Sequence, residues 1–300
     1  MPIKQLIIEL YQKWRYHTTF LKRKSFRILP YDKTVDYIVN NRCSIARFGD
    51  GEFKLAMSYF SKNKNGIGFQ QYNESLAKRL YIILTRFDSK VKIGLPSPIF
   101  GIGLAKMTPY AKRHWKNQCL KNIDWLYSNV YRKQLFLDSF FTRFYIDYKN
   151  HSACQEYVKR LKRIWDNRRL IIVEGALTRL GIGNNLFDNS TSIQRIICPA
   201  KDAYDKIGEI EKAIQEFVDG NDQLVLVALG PTATIIAADM AKLGIQTIDI
   251  GHVDIEYEWM KRKAINKIPI PGKYVNEARS DNAFEPIYSV DYEKQIVKII

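Results

Sequence analysis

Apolar positions along the chain fall into two rhythms. Six short runs are close to continuous: Ser44–Phe48, Val91–Leu95, Leu170–Val173, Arg195–Cys198, Leu224–Leu229 and Gln246–Ile250. Runs of that length with little polar alternation predict strands buried on both faces, as in a parallel sheet. Between them the period lengthens to that of a helix. Ile207, Ile210, Ile214, Phe217 and Val218 mark one helical face that stops at Gly220. Pro231 to Leu243 reads as a second helix, with proline at its start and Gly244 past its end. Strand, helix, strand, helix, strand with short links predicts parallel pairing through right-handed crossovers. The expected fold class is α/β, a Rossmann-like, mostly parallel sheet flanked by helices.

Two regions stand apart from this alternation. Residues 1–30 read as a basic amphipathic arm, with Leu6, Ile7, Leu10, Tyr11 and Trp14 at helical spacing among lysines and arginines. Such a helix can lie on an anionic membrane surface or pack on the body, residues 31–300. Within the body, about 104–165 is helical and aromatic and reads as an insertion beside the sheet. Residues 268–288, with Pro269, Pro271, Gly272 and Pro286, read as a loop or lid.

Composition narrows the choice of partners. At 46% hydrophobic and 13% aromatic, the 300 residues can build a core. No stretch reaches the roughly 18 uninterrupted apolar residues that predict a membrane span. The apolar start of the arm is cut by Glu9, Gln12 and Lys13, unlike a signal peptide. Cys43, Cys119, Cys154 and Cys198 are scattered, which argues against a zinc site or a disulfide scaffold and fits a reducing cytoplasm. The net charge of +16 is uneven. Residues 200–300 hold 12 basic and 17 acidic side chains, leaving +21 on the first 199. A basic N-terminal part suggests an anionic partner: phosphorylated substrate, membrane surface or nucleic acid.

The densest chemistry lies in Arg47-Phe48-Gly49-Asp50-Gly51-Glu52. If this segment is extended, Asp50 and Glu52 point the same way and converge on one cation. Hard oxygen ligands suit Mg2+ or Mn2+, Arg47 offers a fork for phosphate, and Gly49 admits a close ligand. The alternative is a strand-to-helix turn with Glu52 as a first-turn acid. Further on, Gly230-Pro231-Thr232 joins a buried strand to a helix start, a geometry suited to phosphate or a nucleotide. It is not the dinucleotide fingerprint. Glu174 precedes a loop carrying Arg179, Gly183 and Asn184, and Lys201 lies at another strand end. His252, Asp254 and Glu256 follow the last predicted strand. His252 is a candidate general base, and the acids are candidates to orient it, to bind metal or to cap a helix.

In this order the motifs match a family. Arg47 to Glu52, Glu174-Gly175 with Arg179 to Asn184, Ala228 to Thr234, and Asp249 to Trp259 together resemble the GT-D-type glycosyltransferases of bacterial glycan and adhesin-glycosylation loci. The match runs from about residue 40 to about 280. The resemblance implies transfer of a sugar, often glucose, from a UDP-sugar to a glycan acceptor. It also implies a divalent cation, Mn2+ or Mg2+, held by a D-x-E pair, here Asp50 and Glu52. Catalytic roles then fall to His252, Asp254 and Glu256. Donor contacts fall to Arg47, Gly49, Glu174, Arg179, Gly183, Asn184, Lys201, Gly230, Pro231 and Thr232. The expected setting is cytoplasmic, with the arm at the inner membrane face, no nucleic acid bound and self-association open. The competing reading is a basic Rossmann-like binder of nucleotide or nucleic acid without transferase activity.

Overall fold

The computed structural model describes residues 3–220, 222–275, 277–278 and 289–300. Among these residues nine strands form one sheet: β1 Arg27–Ile28, β2 Ser44–Arg47, β3 Val91–Leu95, β4 Leu135–Asp138, β5 Arg169–Gly175, β6 Ser192–Cys198, β7 Leu224–Ala228, β8 Thr247–Asp249 and β9 Ile296–Ile299. Their spatial order is β1-β4-β3-β2-β8-β7-β5-β6-β9, and neighbouring strands run parallel. The expected class is therefore the observed one. Leu170 to Val173 and Leu224 to Val227 are buried throughout, because helices cover both faces of the sheet.

Eleven helices occur among the described residues: α1 Ile3–Thr18, α2 Phe20–Lys24, α3 Tyr31–Asn41, α4 Asp50–Ser58, α5 Glu74–Thr85, α6 Pro109–Asn129, α7 Cys154–Lys162, α8 Ile207–Phe217, α9 Pro231–Lys242, α10 Val253–Lys261 and α11 Val290–Gln295. On α8, Ile210, Ala213 and Ile214 supply the buried stripe. Helix α9 is apolar nearly all round and lies between the sheet and other helices.

The topology creates one crevice. From β2 the chain builds outward through β3 and β4. It then crosses to β5 and β6 and returns through β7 and β8 to the other side of β2. At the β2/β8 junction the two halves diverge, so the loops at these strands' carboxyl ends leave a gap.

The helical, aromatic segment at about 104–165 does hold α6 and α7, and Trp115, Phe140, Phe141, Phe144 and Tyr145 are core residues. It is woven into the sheet rather than set beside it. Leu135–Asp138 forms β4, paired with β3 and β1. At 268–288, the first part is tied down: Ile270 bridges Lys273, and Lys273 is buried against Asp254. Asn276 and residues 279–288 of the expected lid lie outside the described residues.

The arm is helical and packs on α6. Lys22 Nζ lies 2.6 Å from Asp124 Oδ1, and Arg23 is buried with Nη1 3.4 Å from the Phe100 carbonyl. Among the described residues no helix is long and apolar enough to cross a membrane.

Candidate active site

Arg47 ends β2 and Asp249 ends β8, side by side at the crevice. Arg47 Nε donates to the Ser139 carbonyl at 3.1 Å and Nη1 to Asp249 Oδ1 at 3.4 Å. Thr234 on α9 locks both strands: its hydroxyl donates to the Arg47 carbonyl at 2.7 Å and lies 3.3 Å from Asp249 Oδ2. Burial pushes the Asp249 carboxyl up to about 6, opposed by Arg47 and the Thr234 bond.

The acidic pair does not have the extended geometry expected from sequence. The chain turns straight into α4, so Asp50 and Glu52 occupy its first turn. On a helix, positions two apart diverge by roughly 200°. Glu52 reaches back so that its Oε2 accepts the Gly49 N–H at 2.8 Å, satisfying a donor the helix start leaves free. Loss of solvent, then the nearby charges of Asp249 and Asp50, raises its carboxyl to about 7. Asp50 is half exposed. Its Oδ2 lies 3.5 Å from His114 Nε2 on α6, and that hydrogen bond holds its carboxyl below the usual range.

Both acids line one cleft of about 810 Å3. Its other walls are Trp115, Gln118 and Asn122 of α6, then Arg143, His252 and Glu277. A smaller cavity of about 120 Å3 lies behind Phe69, Gly230, Gly251 and His252, which line both spaces. Gly230 has φ +54, and a Cβ there would overlap the Phe69 ring, so that partition needs a glycine.

Among the described residues, no three histidine, cysteine or acidic side chains gather closely enough to hold an ion by themselves. Two carboxylates on an open cleft still fit Mg2+ or Mn2+, which keep water and phosphate oxygens as their remaining ligands. Burial foremost sets the high Glu52 value, with Asp249 and Asp50 adding to it.

His252, before α10, opens onto both cavities. Although the residue is exposed to the cleft, loss of solvent to the protein walls around it lowers the imidazole to about 4. Glu277 opposes the shift, and Arg143, Arg47 and Lys267 add to it. It is neutral at physiological pH.

Several expected site residues are occupied elsewhere. Glu174 is fully buried, 2.6 Å from Arg195 Nη1, and accepts the Leu180 N–H at 2.6 Å. It fastens a loop and does not reach either cavity. Asn184 donates to Asp254 at 2.8 Å and to Glu258 at 2.6 Å. Asp254 borders the small cavity, but it also accepts the Gly181 N–H at 3.0 Å and pairs with Lys273 at 2.5 Å. Glu256 is buried and accepts the N–H groups of Tyr145 and Ile146 at 2.8 and 3.1 Å. The acids of this motif therefore hold neighbouring loops. Arg179 is buried with its guanidinium 4.3 Å from the Tyr292 ring centroid. Gly183, exposed Lys201, and Pro231 and Thr232 of α9 line neither space, whereas Gly49 lines the large one.

Other cleft groups carried no local signal. Arg143 forms a fork on Glu277 at 2.7 and 3.0 Å and donates to Asp147 at 3.0 Å, and Lys267 pairs with Glu277 at 2.5 Å. Asp147 lies four residues on, but Glu277 comes from a distant segment, and only the fold unites it with Arg143.

Known proteins share this fold. Residues 45–278 match the family described as Glycosyltransferase GT-D fold. Glycosyltransferase GlyD of Streptococcus pneumoniae serotype 4 is 35% identical over 266 residues, 89% of this chain and 31% of that protein. A probable glycosyl transferase, Gly, of Streptococcus gordonii is 34% identical over 277 residues, 92% of this chain and 39% of that protein. The chain thus spans about a third of the length of these relatives. A solved structure of the highly conserved domain of unknown function 1792, described as a distinct glycosyltransferase fold, matches with TM-score 0.85 and 34% identity over 95% of this chain and 99% of that one. A new glycosyltransferase of that domain type from Streptococcus sanguinis gives 0.83 and 33%, over 92% and 99%. With its overall fold and most of its length shared, the chain belongs to the GT-D-fold glycosyltransferase family.

Proposed function

We propose that this chain transfers a sugar, with glucose the first to test, from a UDP-sugar to a glycan acceptor with the help of Mg2+ or Mn2+. The carrying observation is the joint exposure of Asp50, Glu52, Arg47 and Arg143 on one cleft at the crevice between β2 and β8. Asp50 and Glu52 would hold the cation, which when bound supplies positive charge for the diphosphate leaving group. Arg47 and Arg143 present fixed guanidiniums to the same anion, oriented by Asp249 and Glu277. The small cavity is sized for a flat base, and the large one for sugar and acceptor.

Among the three proposed catalytic residues, His252 alone opens onto the large cleft. In its neutral form it can accept a hydrogen bond from an acceptor hydroxyl. A bound diphosphate beside it would raise its proton affinity during transfer.

The deciding experiment is donor hydrolysis with several nucleotide sugars, with and without Mn2+, on the native chain and on Asp50→Ala. The reading expects Mn2+-dependent release of UDP that the substitution removes. Failure of the chain to bind either UDP or Mn2+ would refute it.

A further inference from the structure

We propose that the N-terminal arm seats the protein on an anionic lipid bilayer. The arm is an amphipathic helix mounted with its apolar face outward. Ile7, Leu10, Tyr11 and Trp14 follow the i, i+3, i+4, i+7 spacing of one stripe and are all exposed, Trp14 at 61%. Leu21, in α2, is 79% exposed.

The opposite face is the one that packs. Thr19 Oγ1 meets Cys119 Sγ at 3.8 Å, Arg23 sits 4.2 Å from the Tyr16 ring centroid, and Lys116 Nζ lies 5.1 Å from the same centroid. Arg15 and Lys22 both reach Asp124 of α6. These contacts fix the roll of the arm, so the stripe cannot turn inward while they hold.

Charge selects the occupant. Residues 10–31 contain Lys13, Arg15, Lys22, Arg23, Lys24 and Arg27 and no acidic residue. An apolar stripe alone would suit another protein equally well. A stripe carrying Trp and Tyr, in an arm where Glu9 is the one acid against seven lysines and arginines in residues 1–30, matches the interface of a bilayer rich in anionic headgroups. Helix α6 carries the arm and also supplies Trp115, Gln118 and Asn122 to the large cleft, so one helix separates the bound surface from that cleft.

The test is co-sedimentation of the full chain with vesicles of phosphatidylcholine, alone or mixed with phosphatidylglycerol. Binding is expected to the mixed vesicles only and to weaken with salt. Leu10→Glu combined with Trp14→Glu should abolish it with the thermal unfolding midpoint unchanged. Lys13→Gln and Lys24→Gln should each weaken it about fivefold. Equal binding to both vesicle types, or full binding by the Leu10→Glu, Trp14→Glu protein, would overturn the proposal. So would a dimer, seen by analytical ultracentrifugation, that the same variant disrupts while native protein ignores vesicles.

Discussion

Gly251 stands where a side chain would collide with Arg47. Its φ is +49, and a Cβ built there would overlap Arg47 Nη1, the nitrogen that faces Asp249. The guanidinium thus owes its place at the β2/β8 junction to an absent methyl group. Gly251→Ala should displace Arg47 and also strain a left-handed backbone, costing about 1–3 kcal/mol. Urea unfolding reads the stability loss. UDP affinity should fall with it, and unchanged affinity would show that Arg47 does not contact the donor.

Asp50 and Glu52 should separate under mutation. Asp50 is half exposed and makes few internal contacts, so Asp50→Ala should shift stability by less than about 0.5 kcal/mol while removing Mn2+-dependent hydrolysis. Glu52 also closes the start of α4, so Glu52→Ala should cost activity and about 1 kcal/mol of stability. At pH 8, Mn2+ should raise the native unfolding midpoint and leave Asp50→Ala unmoved. Differential scanning fluorimetry with and without EDTA checks both.

Glu256 sets a pH dependence of known sign. Burial foremost raises its carboxyl from 4.5 to about 7. The folded chain therefore holds this proton more tightly than the unfolded chain does. Stability should fall as pH rises from about 4.5 to about 7 and stay lower above that. Glu52 and Asp249 act in the same direction, and Glu277, depressed mainly by Arg143, acts oppositely in acid. Glu256→Gln keeps an acceptor for Tyr145 and Ile146 without the charge. It should flatten the slope and exceed native stability above pH 7, as urea titrations across pH would show.

The Glu174–Arg195 pair should behave as structure. Both side chains are almost wholly buried, so Glu174→Ala leaves a buried cation and should cost about 3–5 kcal/mol. Adding Arg195→Met should recover part of that loss. UDP binding by the folded double variant should persist, and its disappearance would return Glu174 to the donor site.

These predictions also mark how far a linear sequence carries. Strands β5 and β7 were readable because burial on both faces demands unbroken apolar runs. Strand β4 was not, because Leu135-Phe136-Leu137 sits among aromatic residues at helical spacing and its pairing with β3 is non-local. The two residues of β1 are too short to announce themselves, and β9 is interrupted by Lys298 and exposed at its end. At the site, Asp50 and Glu52 were legible as a motif, but a helix starting at Asp50 changed their directions. Glu174 reads as a donor contact and Asp254 as a catalytic acid because a carboxylate beside a glycine loop has that form. Their partners, Arg195 and Lys273, lie on other segments and claim them first. Arg143, Glu277 and His114 are dispersed side chains that only the tertiary fold assembles.

The shared partition of Phe69, Gly230, Gly251 and His252 has a thermodynamic consequence. A ligand on one side that shifts this thin wall changes affinity on the other, and linkage makes the effect mutual and equal in size. Two inhibitors, one in each chamber, should therefore titrate as coupled rather than independent.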